Sequence, residues 1–416
     1  IKIILIVHYH NPYIFIMKIL HIVGGSPKSG AYKGTEILHN ALLKLNIDSK
    51  ILNNNPLNIN NKKVIFLKIN FFRKILNTFF IILEKILKTL FLHTPRSTFS
   101  FGLFGNDITK FDAYKNADII HIHWLGEGFV SLKSISKIKK PVIWTMRDMW
   151  PFTGGSHYTV DFKNYEKGFI SKIIRNYKKK VFKNKIQFVA ISSWLKSKAA
   201  ESDVLKDQKV LKIYNNISID DFKVIEKNVA LSKLNIKTKK KIILYGAINP
   251  QSKRKGWEIF LEAIRKIDKS KYLLLIFGNF WSEDVLKTTG IEYKLLGFVK
   301  DKRSLNFIYS CADLFVFSSI QEAFGKTWVE SMACNTPVVC FKNTACAEII
   351  DHKTNGYIVQ DLSPENLIDG IDWAASKINK EKNDIKVREK IVDLDSKIIA
   401  KEYVNLYSKF FKEKTI

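Results

Sequence analysis

A chain of 416 residues is too long for one ordinary core and fits two domains of roughly 200 residues each, and its 46% hydrophobic and 12% aromatic content excludes general disorder. The formal charge of +29 is uneven, since residues 1–215 hold 35 Lys/Arg against 13 Asp/Glu and residues 216–416 hold 33 against 26. Such an excess in one half points to an anionic partner (a membrane surface, a nucleic acid or a charged acceptor), although a Lys/Ile/Asn-rich codon bias gives the same excess without any functional cause.

The first sixteen residues, IKIILIVHYHNPYIFI, precede MKILHIVGG. Met17 is therefore expected to be the natural start and 1–16 an upstream extension, too short and too rich in His and Tyr for a good signal peptide. ILHIVGG (19–25), the loop SPKSGAYKG and EILHNALLKL (36–45) form the strand, glycine-containing loop and helix that open a Rossmann-type unit. Residues 68–92, KINFFRKILNTFFIILEKILKTLFL, are dense in Ile, Leu and Phe and carry Lys68, Arg73, Lys74, Lys85 and Lys88. This segment is expected to lie as a helix in the headgroup region of an anionic membrane, the alternative being a helix packed on its own domain. ADIIHIHW (117–124), PVIWTM (141–146) and FVAISSWL (188–195) are further strands, and their unbroken apolar character indicates a parallel sheet covered on both faces. His121 and His123 alternate along the first of them, and either line a cleft or sit satisfied in the core.

YNNISID (214–220) interrupts the pattern and places a domain boundary near 215/216. Beyond it, KIILYG (241–246), YLLLIFG (272–278), YKLLGFV (293–299), DLFVFSS (313–319) and TPVVCF (336–341) alternate with helical stretches such as GWEIFLEAIRKI (256–267) and GKTWVESMAC (325–334), which implies a second doubly wound sheet over 216–386. Residues 387–416 are expected to form a C-terminal helix packing back toward the N-terminal domain. No stretch offers 18 uninterrupted apolar residues, so no spanning helix is expected. Cys311, Cys334, Cys340 and Cys346 match neither a metal knuckle nor a disulfide framework, which suits the reducing cytoplasm.

The sharpest constellation is QEAFGKTWVE (321–330), with Glu322 in the loop after a strand, Gly325 at a helix start and Glu330 inside that helix. A helix opening at a glycine presents free N–H groups and a positive dipole end to a diphosphate. A carboxylate further along can accept both hydroxyls of a ribose, and the loop carboxylate can reach a sugar beyond the phosphates. The bland alternative is a solvated helix face. A second element, NPQSKRKGW (249–257), sets Lys253, Arg254 and Lys255 in a loop leaving a parallel strand, the place where ligands bind in open α/β sheets and where cations can neutralise a departing diphosphate.

With these segments in place, the chain resembles glycosyltransferase family 4 enzymes of the GT-B fold, two Rossmann-like doubly wound parallel-sheet domains facing across a cleft. It is similar in particular to bacterial polysaccharide enzymes of the colanic acid and capsule type, through the string HIHWLGEGFVSLKSISKIKKPVIWTMRDMWPFTGGSHY (121–158). The likeness runs from about Met17 to the end of the chain. It implies a retaining, metal-independent transfer from a nucleotide sugar such as a UDP- or GDP-sugar to a glycan or lipid-linked acceptor in cell-surface polysaccharide biosynthesis. The protein is then expected in the cytoplasm, peripheral at the inner face of the membrane. Carried over, Glu330 holds the donor ribose, Glu322 the transferred sugar, the backbone of Phe324, Gly325 and Lys326 faces sugar and phosphates, and Arg254 with Lys255 stabilises the leaving diphosphate. Gly246 and Thr327 complete the donor side, while Gly30, Gly34, His123, Asp148, Gly154 and Gly155 belong to the acceptor side of the cleft.

Two departures bear on mechanism. Arg147 stands where many relatives carry His; it cannot act as a base, so it is expected to stabilise charge, with an ion pair to Asp148 as the alternative. Ala247 replaces a common arginine, which shifts phosphate neutralisation to Lys255 and Arg254. Asp393-Leu-Asp395 is the single D-x-D and is expected to be solvated, so no metal or cofactor is expected. The rivals are a sugar-nucleotide epimerase of the same architecture and, on charge alone, a nucleic-acid-binding protein without a recognition helix or aromatic-basic platform to support it.

Overall fold

A computed structural model describes residues 17–55, 63–67, 71–92, 98–183, 186–381 and 387–412. The segment 1–16, read above as an upstream extension, lies outside the described residues, as do 68–70 and 413–416.

Two sheets carry the chain. The first joins β1 (Lys18–Val23), β2 (Asp48–Asn53), β3 (Val64–Phe66), β4 (Ile119–Trp124), β5 (Val142–Met146), β6 (Ile186–Ala190) and β7 (Val210–Lys212) in the order β3-β2-β1-β4-β5-β6-β7. The second joins β8 (Lys241–Gly246), β9 (Tyr272–Phe277), β10 (Glu292–Leu295), β11 (Leu314–Phe317), β12 (Val338–Phe341) and β13 (Gly356–Val359) in the order β10-β9-β8-β11-β12-β13. Every described strand pair is parallel. Their central strands are buried along their whole length, as β5 and β9 show, which is why they read as apolar runs without alternation. The architecture is the GT-B pairing of two Rossmann-like units.

Local chemistry sets several ends differently from the apolar runs. FVAISSWL is a strand only to Ala190, because the Ser192 hydroxyl accepts from Leu195 N at 3.0 Å and starts the helix Ser193–Ala200. β2, β3, β7 and β13 are short, polar or at an edge, and apolar content does not announce them.

The last helix, Ser396–Lys412, crosses back to the first sheet and lies on the helix Gly30–Lys44, where Ile399, Tyr403, Leu406 and Tyr407 share a core with Leu38, Ala41 and Leu42. Asp395, expected to be solvated, has carboxylate oxygens that accept from Ile219 N at 3.2 Å and from Lys397 N at 2.9 Å, at the start of this helix. All four cysteines are buried thiols outside any disulfide.

The helix Phe71–Leu92 has two unlike faces. Inward, Phe80 stacks on Phe104 with centroids 3.9 Å apart, Asn77 donates to Asn106 Oδ1 at 2.9 Å, and Glu84 accepts from Phe101 N at 3.1 Å. Outward, Phe71, Ile75, Phe79, Ile82 and Ile86 follow one another at helical spacing and are about half or more exposed, Phe71 at 79%. The helix Phe169–Phe182 adds exposed Phe169 (78%), Ile170 and Ile173, with Lys172, Lys179 and Lys180 also at the surface. Among the described residues no helix is long and apolar enough to cross a membrane.

Candidate active site

Strand order reverses at β1/β4 in one sheet and at β8/β11 in the other. The crevice beyond the carboxyl ends of such pairs is where open parallel sheets receive ligands, because no crossover helix covers it there.

Beyond β8 the chain makes the turn Lys253–Lys255 and, at Gly256 with φ 66°, enters the helix Trp257–Lys266. The Ser318 hydroxyl donates to Lys255 O at 2.9 Å and the Tyr245 hydroxyl to Pro250 O at 3.0 Å, tying this basic turn over the end of β11. Beyond β11 the chain turns at Gly325, φ 80°, into the helix Lys326–Ala333. A β-carbon at 325 would meet the Phe317 ring at 2.6 Å and Glu322 Cγ at 3.1 Å, so the turn requires glycine both for its left-handed backbone and for space.

Glu322 stands between the two turns. Its Oε2 accepts from Arg254 NH1 at 2.7 Å and pairs with Lys255 Nζ, while its Oε1 accepts from the Tyr158 hydroxyl at 3.1 Å. Burial alone would raise the Glu322 pKa, but Arg254 and Lys255 outweigh it and bring it to about 2. Burial lowers Lys255 against the pull of Glu322, and Arg254 is raised because Glu322 and Tyr158 overcome its burial. Glu330 has no cation within ion-pair range among the described residues; it accepts from the Tyr309 hydroxyl at 2.8 Å, and burial raises its pKa although Lys326 and Tyr309 oppose this. Lys326 opens the helix, and burial, opposed by Glu330 and reinforced by Arg147, brings its pKa to about 7.

Arg147 follows β5 on the other side of the cleft. It donates through NH1 to Asn215 Oδ1 and through NH2 to His123 Nδ1 at 3.2 Å, while its Nε is buried without a partner. No carboxylate pairs with it among the described residues, and burial brings its pKa to about 10. The alternative ion pair with Asp148 does not form. Asp148 Oδ2 lies 2.6 Å from His157 Nδ1 and accepts from Trp124 Nε1 at 3.0 Å, and its Oδ1 accepts from Trp150 N. Gly34 makes room for the guanidinium, since a β-carbon there would stand 2.7 Å from NH1.

The other expected residues are less uniform. Gly30 opens its helix with free space around it, Thr327 is half-buried in the first turn after Gly325, Phe324 is buried, and Gly246 fits under the Phe277 ring. Gly154 and Gly155 are packed inward, where added β-carbons would strike Ser171 and the Phe99 ring, and Gly154 N donates to Glu166 Oε2 at 2.9 Å. His123 is 1% exposed and touches the cleft through Arg147. Sequence reasoning passed over Tyr158, Tyr309, Asn215 and Gln321. Tyr158 lay inside the quoted string, whereas Tyr309 is 21 positions from the carboxylate it meets and gave no local cue.

Residues 226–390 match the family described as glycosyl transferases group 1. The chain carries a glycosyltransferase domain. It is 30% identical over 239 residues to an uncharacterised glycosyltransferase of Methanocaldococcus jannaschii, covering 53% of this chain and 59% of that protein. It is 25% identical over 252 residues to the capsular polysaccharide biosynthesis glycosyltransferase CapM of Staphylococcus aureus, covering 54% of this chain and 62% of CapM. The aligned region thus spans about three fifths of both relatives. Among solved structures, Anabaena HepE in complex with UDP-glucose superposes with a TM-score of 0.65 at 15% identity, over 94% of this chain and all of that one, which shows a shared fold. Glu322, Arg254, Lys255, Lys326 and Glu330 all lie within the matched glycosyltransferase segment. The transferase domain and the relatives' names lend the epimerase alternative no support.

Proposed function

We propose that the protein is a retaining, metal-independent glycosyltransferase that moves a sugar from a nucleoside diphosphate sugar to a glycan or lipid-linked acceptor in polysaccharide biosynthesis. The observation that carries this reading is the junction of Glu322, Arg254 and Lys255 beside a helix that opens at Gly325, with Lys326 and Glu330 on its first turns. In this reading residues 216–386 hold the donor, with the ribose at Glu330, the phosphates at the amides of 324–326 and the sugar at Glu322. Residues 17–215 offer the acceptor.

The acceptor hydroxyl attacks the anomeric carbon, the bond from that carbon to the phosphate oxygen breaks, and the departing phosphate takes the proton and leaves as nucleoside diphosphate. Arg254, Lys255, Lys326 and Arg147 stabilise the growing negative charge, a preorganised electrostatic contribution that is larger in a cleft from which water is excluded. The resemblance and the four cations support metal independence, which predicts undiminished turnover in excess EDTA. Glu330→Ala should raise the donor KM strongly and Glu322→Ala should suppress kcat; wild-type kinetics in both variants would remove the assignment. Retention is read from the anomeric configuration of the first product by NMR.

The apolar outer stripe of Phe71–Leu92 with its exposed Lys74 and Lys85, and the exposed Phe169, Ile170 and Ile173 with Lys172 on the helix Phe169–Phe182, support an anionic membrane surface as a further partner. A lipid-linked acceptor would be met there.

A further inference from the structure

His21 on β1 lies opposite His121 on β4, and His123 follows on the same face of β4. All three are buried, and one nitrogen from each falls within 4.8 Å of the others. Three histidines so placed resemble a metal cluster, yet their hydrogen bonds describe something else. Both nitrogens of His121 face hydroxyls, Nδ1 that of Tyr407 at 2.7 Å and Nε2 that of Thr145 at 2.8 Å. His123 Nδ1 faces the Arg147 guanidinium, whose permanent charge opposes a dication on the same ring.

That guanidinium also dictates where the protons are. An arginine nitrogen only donates, so His123 Nδ1 must be an acceptor, and a neutral imidazole then carries its proton on Nε2. His123 Nε2 is 2.9 Å from His21 Nδ1, which therefore accepts, and the proton of His21 is placed on its own Nε2, a buried nitrogen with no hydrogen-bond partner among the described residues. Burial first, and then neighbouring His and Arg charges, keep both rings neutral.

We infer that His123 and His21 are positioning residues for Arg147. Their tautomers form a one-way chain, Arg147 to His123 to His21, that holds one edge of the guanidinium while Asn215 holds the other. The inference rests on the reading of Arg147 as a group that meets the donor's anionic part. It gives His21, which does not touch Arg147, an effect on the cleft: without an acceptor at His21 Nδ1, the Nε2 proton of His123 loses its partner and the opposite tautomer, which confronts Arg147 with an N–H, becomes competitive.

The test has two parts. Nitrogen-15 NMR of the unliganded wild-type protein should show neutral His123 and His21, both protonated on Nε2; an Nδ1-protonated or doubly protonated ring at either position overturns the inference. Calorimetric titration with UDP and with GDP, using whichever binds the wild type, should show affinity falling roughly tenfold or more in Arg147→Met, His123→Leu and His21→Leu. His123→Asn, whose amide oxygen stands near the place of Nδ1, should recover most of the loss, and adding His21→Leu to Arg147→Met should change nothing further. If Arg147→Met binds like the wild type, the reading of Arg147 fails. If Arg147→Met is impaired while both leucine variants bind normally, the chain is overturned and Arg147 keeps its role. A stoichiometric metal ion in the purified protein, bound at these rings, also overturns it.

Discussion

Among the cations at the cleft, Lys326 is the one whose charge changes near neutrality, because burial has brought its pKa down to about 7. A depressed lysine is protonated below that value and neutral above it, so its attraction for a diphosphate is present in mild acid and lost as the pH rises. The donor KM should therefore increase between pH 6.5 and 8.5, and Lys326→Met should show a flatter profile with a KM that is high throughout. Glu322 behaves in the opposite sense. Its pKa in the folded chain is about 2, below the ordinary value of roughly 4.3 in an unfolded one. The stability it contributes is complete above the unfolded value and is lost as pH falls through the folded one. Glu322→Ala leaves Arg254 and Lys255 buried without their anion, a change that costs about 3 kcal/mol. Chemical denaturation at pH 7 should show a loss of that order, shrinking as both proteins are taken from pH 5 toward pH 2. A loss under 0.5 kcal/mol at pH 7 would show that the two cations find other partners.

At the scale of elements, the helix Phe71–Leu92 shows how one segment can satisfy two readings. Glu84, its single acidic residue, is turned inward against Phe101, and burial raises its pKa to about 7, whereas Lys74 and Lys85 stand exposed beside the apolar stripe. An outer face with cations and no anion suits a surface of acidic lipid. Co-sedimentation with phosphatidylglycerol vesicles should be strong for the wild type and nearly absent for a variant with Ile75, Phe79 and Ile82 changed to Glu. Because these residues are exposed, the melting temperature should stay within about 3 °C of the wild type. Equal sedimentation of both proteins would assign the stripe to something other than lipid.

Across the whole molecule, several polar contacts join the two sheets at the cleft. Besides the Tyr158–Glu322 bond, Gln321 accepts from Val160 N at 3.0 Å and donates to the Thr159 hydroxyl at 2.9 Å, and Arg254 lies over the Tyr158 ring at 4.1 Å. The Ser192 hydroxyl donates to Ala323 O at 2.7 Å on the same seam. Glu348 adds a second clasp on this seam, its carboxylate oxygens accepting from Ser193 N at 2.8 Å and from Trp194 N at 2.5 Å. Tyr158→Ala combined with Gln321→Ala should widen the cleft, seen as a larger radius of gyration in small-angle scattering without nucleotide. A radius unchanged from the wild type would show that the clasp does not set the opening.

Much of this was legible before any coordinates, for physical reasons. A strand buried on both faces is mostly apolar, so β1, β4, β5, β6, β8, β9, β11 and β12 announced themselves even where His21, His121 and His123 interrupt the run. A helix that opens on a glycine and carries acids at fixed spacing marked Glu322 and Glu330, and the loop after β8 marked Arg254 and Lys255. The partners of these groups were not legible. That Glu322 lies against Arg254, Lys255 and Tyr158, that Arg147 leaves Asp148 to His157 and turns to His123 and Asn215, and that Gly154 and Gly155 pack inward are all matters of approach between distant segments. Local chemistry writes periodicity, turns and charge into the chain, whereas a buried ion pair or a histidine's tautomer is decided only when folding brings its neighbours within a few ångströms and removes the water.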